Sequence, residues 1–102
     1  MQNKTVLSLI GNTPMVRAQN LLKSDKVELY FKLEGHNPGG SVKDRPALNM
    51  IKSALDRGEI DRQTKLIEAT SGNTGIALAM CAGLYGLDIE LVMPENSTKN
   101  AK

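Results

Sequence analysis

The 102 residues predict an α/β fold organised as a parallel-sheet βαβαβ unit. Three observations carry that reading. Strand-patterned stretches alternate with two stretches at helical spacing. Glycine or proline marks each junction. The links are short enough that successive strands run parallel through right-handed crossovers.

Gly11-Asn12-Thr13-Pro14 is a turn signal, and Met15-Val16-Arg17-Ala18 after it has the composition of a short strand. Over 27–33, Val27, Leu29, Phe31 and Leu33 alternate with Glu28, Tyr30 and Lys32, the period of a half-buried strand. Asn37-Pro38-Gly39-Gly40 then gives turn chemistry. A helix is predicted over 43–57, because Ala47, Leu48, Ile51, Ala54 and Leu55 recur at helical spacing. Ser41-Val42-Lys43-Asp44 has capping-box spacing, but Pro46 favours a cap nearer Lys43 or Asp44, which places the proline in the first turn. Gly58 closes the helix. A second strand covers 65–69 and runs into Thr70-Ser71-Gly72-Asn73-Thr74-Gly75. The helix that begins near this loop and continues through Ile76 to Tyr85 is apolar all round and so predicts burial on more than one side. Gly86 ends it, and 89–93 forms a third strand stopped by Pro94.

Composition excludes several functions. Thirteen basic against eleven acidic residues give a net charge of +2, with no run of one sign, which argues against nucleic acid as the main partner. One cysteine, Cys81, and one histidine, His36, leave no disulfide framework and no Cys or multi-His metal site. The N-terminal residues lack a basic region followed by an apolar one, and four glycines and several hydroxyl residues interrupt the longest uncharged stretch. A cytoplasmic protein without a membrane span is therefore expected.

Both glycine-containing loops, 35–42 and 70–75, fall at the carboxyl ends of predicted strands, where such sheets bind ligands. Lys43 opens a helix, and positive potential there, like a dry pocket, favours the neutral amine that attacks an aldehyde. The alternative is an ordinary solvated lysine, and the neighbouring charges of Asp44 and Arg45 do not favour burial. The amides and hydroxyls of 70–75 can cradle a carboxylate or phosphate. The loop lacks the spacing of a Walker or a dinucleotide motif, and a tight turn with a hydroxyl cap is the equal alternative. Cys81 reads as core, His36 as exposed, and Met50 and Met80 as core filler.

Together, Asn37-Pro38-Gly39-Gly40-Ser41-Val42-Lys43-Asp44-Arg45 and Glu68-Ala69-Thr70-Ser71-Gly72-Asn73-Thr74-Gly75 resemble the cysteine synthase family. That family lies within the fold type II (β-family) pyridoxal-phosphate enzymes and is related to cystathionine β-synthase. Ile10-Gly11-Asn12-Thr13-Pro14 and Val92-Met93-Pro94-Glu95 also match, so the resemblance spans essentially the whole chain. Ile67 to Thr70 and Ala77 to Met80 are most similar to the B-type, O-acetylserine sulfhydrylase branch.

The resemblance implies a pyridoxal 5'-phosphate cofactor held by Lys43, which also moves protons at the substrate α-carbon. It implies a hydrogen bond from Asn73 to the cofactor's ring oxygen, and a substrate carboxylate seated on Thr70, Ser71, Gly72, Asn73 and Thr74. The implied reaction is β-replacement, in which O-acetylserine loses acetate and sulfide adds to give cysteine. A homodimer is implied, and in some members a docked serine acetyltransferase tail. It further implies that 1–34 pairs with a larger domain and that 35–102 is an incomplete smaller α/β domain. The family's phosphate loop has no counterpart, the residues after Ser97 drift from the pattern, and Pro46 is unusual. An N-terminal fragment, inactive alone, is expected. The alternatives are a non-catalytic α/β module and a cystathionine β-synthase-like enzyme.

Overall fold

The structure, a computed structural model, describes residues 5–21 and 23–95. Residues 98–102, whose sequence drifts from the family pattern, lie outside the described residues.

Two short strands come first. β1 (Met15–Arg17) pairs antiparallel with β2 (Tyr30–Lys32), with Met15 opposite Lys32. Backbone bonds from Ala18 to Leu29 and from Leu33 to Pro14, both 2.8 Å, extend the ladder at its two ends. Gly11 and Asn12, at φ of +84° and +46°, form the turn that leads into β1.

The second unit runs α1 (Asp44–Asp56), β3 (Lys65–Ala69), α2 (Asn73–Leu84), β4 (Asp88–Val92). β3 and β4 are parallel, from Lys65 opposite Asp88 to Ala69 opposite Val92. The α/β class and the parallel pairing are those read from the sequence. The strand expected over 27–33 differs in place and length. It pairs with β1 and not with β3, in a sheet of its own whose antiparallel ladder runs on at both ends through the Ala18–Leu29 and Leu33–Pro14 bonds. Its residues are also exposed on both faces, Phe31 at 43%, because no other described layer covers the hairpin.

The core lies between α1 and α2 and over the parallel pair. Ala47 and Ile51 of α1 meet Ala77, Leu78, Cys81 and Ala82 of α2, and Leu87 joins them. Small side chains at this seam let the helices approach closely, the geometry that ridge-and-groove packing requires. Leu48, Leu55, Met80 and Ile89 pack around it. Met50, expected as core filler, is half exposed because it falls off the Ala47–Ile51 stripe. α2 is likewise not covered all round, with Ile76 and Leu84 open.

Both helices end the same way. Gly58 and Gly86 take left-handed φ, and the following amides of Glu59 and Leu87 reach back to Ala54 and Ala82 at 2.9 and 2.8 Å. Lys43 is the N-cap residue of α1, so Pro46 is its third residue, where a missing N–H costs nothing.

Candidate functional site

The turn before α1 is tightly determined. Gly40 donates to the Asn37 carbonyl at 2.8 Å and has φ of +89°. Asn37 is buried; its amide donates to the Glu34 carbonyl at 2.8 Å and its side-chain oxygen accepts from the Gly11 amide at 2.7 Å. Asp44 does not form the capping box its spacing suggested. Its carboxylate instead accepts from the Gly39 amide at 2.5 Å, and a Cβ on Gly39 would overlap it. Asp44 is fully buried, and its Oδ1 has no partner among the described residues, a desolvation cost of about 1–3 kcal/mol. Lys43, between this turn and the helix, is exposed.

A second set of contacts joins this turn to the Gly11–Thr13 turn. The Arg45 guanidinium donates to both Glu34 carboxylate oxygens, at 2.6 and 3.1 Å, and to the Thr13 hydroxyl at 3.1 Å. The Thr13 hydroxyl donates to Glu34, and the Lys32 ammonium donates to the Thr13 carbonyl at 2.6 Å. Arg45 first, then Thr13 and Asn37, stabilise the charged carboxylate and hold Glu34 at about 2, below its ordinary 4.5. A pKa lowered by folding means that the contribution is complete above the ordinary range and is lost as pH falls toward 2. Stability should therefore fall more steeply from about pH 4.5 to 2 in the unaltered protein than in Glu34→Gln, as followed by thermal unfolding. Equal slopes would contradict the assignment.

The second loop follows β3. Thr70 continues the parallel ladder, its amide donating to the Val92 carbonyl at 2.9 Å. Its hydroxyl accepts from the Gly75 amide at 3.1 Å, which caps α2 from five residues away, while Gly72 at the N-cap position supplies no side-chain cap. The first two helical amides, those of Asn73 and Thr74, have no intrahelical acceptor and remain available to a ligand. Asn73 and Ser71 are exposed. Thr70 and Ser71, with Ala69, Val92, Met93 and Pro94, line an open cleft of about 420 Å³ at the carboxyl ends of β3 and β4. Gly75 is required there, because a Cβ would overlap the Thr70 methyl group. Gly75→Ala should cost about 1–3 kcal/mol in urea unfolding, the usual range for overpacking. A change below a few tenths would show that the loop relaxes freely.

The five loop residues named from sequence are thus contiguous at one helix start, and two of them line the cleft. Lys43 is not among the cleft's lining residues; it stands at the start of the neighbouring helix. Sequence reading missed Asp44, whose charge argued for exposure, and the Glu34–Arg45–Thr13 cluster, whose members are up to 32 residues apart. His36 is exposed, and Cys81 is fully buried with its thiol pKa raised by that burial and by Asp44. Among the described residues no acidic, His or Cys group could hold a metal, and no helix is long and apolar enough to cross a membrane.

Comparison with known proteins gives consistent matches. The family described as pyridoxal-phosphate dependent enzyme matches residues 6–102. Cysteine synthase B of Pseudomonas syringae pv. syringae is 53% identical over 102 residues, all of this chain and 60% of that protein. Cysteine synthase B of Pseudomonas aeruginosa is 55% identical over 102 residues, all of this chain and 34% of that protein. The crystal structure of a hydrogen sulfide-producing enzyme from Fusobacterium nucleatum superposes with a TM-score of 0.91 at 46% identity, over 99% of this chain and 33% of that one. The chain therefore spans from about a third to three-fifths of the length of these relatives.

Proposed function

The chain belongs to the pyridoxal-phosphate dependent enzyme family, and from that premise we propose that it carries the amine and the carboxylate cradle of a β-replacement enzyme that makes cysteine from O-acetylserine and sulfide. The observation that carries this reading is the pair of open helix starts. One presents an exposed amine, Lys43, and the other presents unpaired amides beside the hydroxyls of Thr70 and Ser71.

The residues present fit the cofactor at its aldehyde and ring. Lys43 would hold the aldehyde carbon, and the Asn73 side chain would donate to the ring oxygen. When bound, the cofactor supplies an electron sink for the negative charge that develops at the substrate α-carbon. The chain's own residues supply the rest. The Asn73 and Thr74 amides and the Thr70 and Ser71 hydroxyls grip the α-carboxylate and so orient the α C–H bond. The Lys43 amine takes the proton from that carbon and returns it after sulfide has replaced acetate. Proton transfer by a positioned amine of this kind contributes about 10²–10⁴-fold.

The division into 1–34 and 35–102, the homodimer and a serine acetyltransferase tail as partner belong to the same reading and rest on the resemblance alone. A cytoplasmic setting suits a chain whose one thiol is free. The test is product analysis. The full-length protein with the cofactor, O-acetylserine and sulfide should release acetate and form cysteine in equal amounts. Turnover only with a thiol-bearing amino acid would favour the cystathionine β-synthase-like alternative, and no turnover with either would favour the non-catalytic module.

A further inference from the structure

We infer that Glu34 and Arg45 are positioning residues for Lys43, fixing it through the backbone without touching the ligand. The inference rests on the role proposed above for Lys43.

Buried polar side chains are costly and are kept where they are hydrogen-bonded. Among the described residues three polar side chains are buried, Thr13, Asn37 and Asp44, and all three surround the turn that leads to Lys43. The hydrophobic core lies elsewhere, along the α1–α2 seam. The polar cluster therefore specifies one local geometry more than it adds apolar stability.

The ties converge on the two residues after Lys43. Arg45 spans Glu34 and Thr13, and Glu34 accepts from Asn37 at 3.1 Å, which in turn holds Gly11. Asp44 holds Gly39 on the other side of the turn. Lys43 itself is fixed at both backbone groups. Its amide donates to Ser41 Oγ at 3.1 Å, and its carbonyl accepts from the Ala47 amide at 3.1 Å. Its ammonium makes no ion pair among the described residues. A rigid backbone bearing a free amine is the arrangement that positioned chemistry requires, since small misplacements of a reacting group are expensive.

The test compares Arg45→Ala, Arg45→Lys and Glu34→Gln in the full-length protein, with folding checked by thermal unfolding. Each protein is incubated with pyridoxal phosphate and reduced with borohydride, and the label on Lys43 is measured against that on Lys52 of the same molecule. In Arg45→Ala the Lys43:Lys52 labelling ratio should fall about 10- to 100-fold, and kcat should fall more than KM rises. Arg45→Lys should be intermediate, because an ammonium can pair with Glu34 without reproducing the forked contact. Glu34→Gln keeps an acceptor oxygen, so it reads the loss of charge in a folded protein if Arg45→Ala does not fold. Folded variants with an unchanged ratio would overturn this inference alone. Absence of label from Lys43 in the unaltered protein would overturn both this inference and the role given to Lys43.

Discussion

Lys43→Ala is expected to lower kcat of the full-length protein by about 10²–10⁴-fold, the range for removing a positioned proton-transfer group. The same change should leave folding nearly untouched. Lys43 is exposed, and exposed substitutions of this kind usually stay within about 0.5 kcal/mol. Steady-state turnover and thermal unfolding on one preparation separate the two effects. A folded variant with undiminished turnover would remove Lys43 from the chemistry and return it to the solvated-lysine alternative.

The second large effect concerns the 70–75 loop, where the structure separates two residues that the sequence groups together. Asn73 is exposed and its side chain caps nothing, so Asn73→Ala should spare stability. Losing a hydrogen bond to a charged or polarised group should cost about 1.5–3 kcal/mol, or roughly 10- to 150-fold in kcat/KM. Thr70→Ala should do both kinds of damage. Its hydroxyl also caps the Gly75 amide, so about 0.5–2 kcal/mol of stability should go with the loss of efficiency. Normal efficiency per folded molecule in both variants would leave the loop as a turn and cap only.

What the sequence shows here is local. The period of Ala47, Leu48 and Ile51, the glycines at 58 and 86 and the position of Pro46 locate α1 and α2 to within a residue or two, because helix spacing and caps are set by near neighbours. The parallel strands follow from the same logic, since a helix between two short strands leaves few topologies. The partner of β2 is different in kind. The alternation over 27–33 says that one face seeks cover, but not which strand pairs with it, and the observed partner is β1.

The site divides along the same line. Lys43 and the Thr70–Gly75 loop are legible because each is a short motif at a helix start. Asp44 and Arg45 are not, because a charged side chain next to a turn is normally solvated. The burial of Asp44 and the pairing of both come from contacts with Gly39, Glu34 and Thr13, and the Thr13–Arg45 contact joins segments that meet only in the folded chain.

The central claim, that Lys43 is the amine that takes the cofactor, is tested most directly by locating the bond itself. The full-length protein is saturated with pyridoxal phosphate, reduced with borohydride, digested and mapped by mass spectrometry. The expected result is a dominant pyridoxyl label on Lys43, well above that on any other lysine. A label on Lys32 or Lys52 with Lys43 unmodified would contradict it.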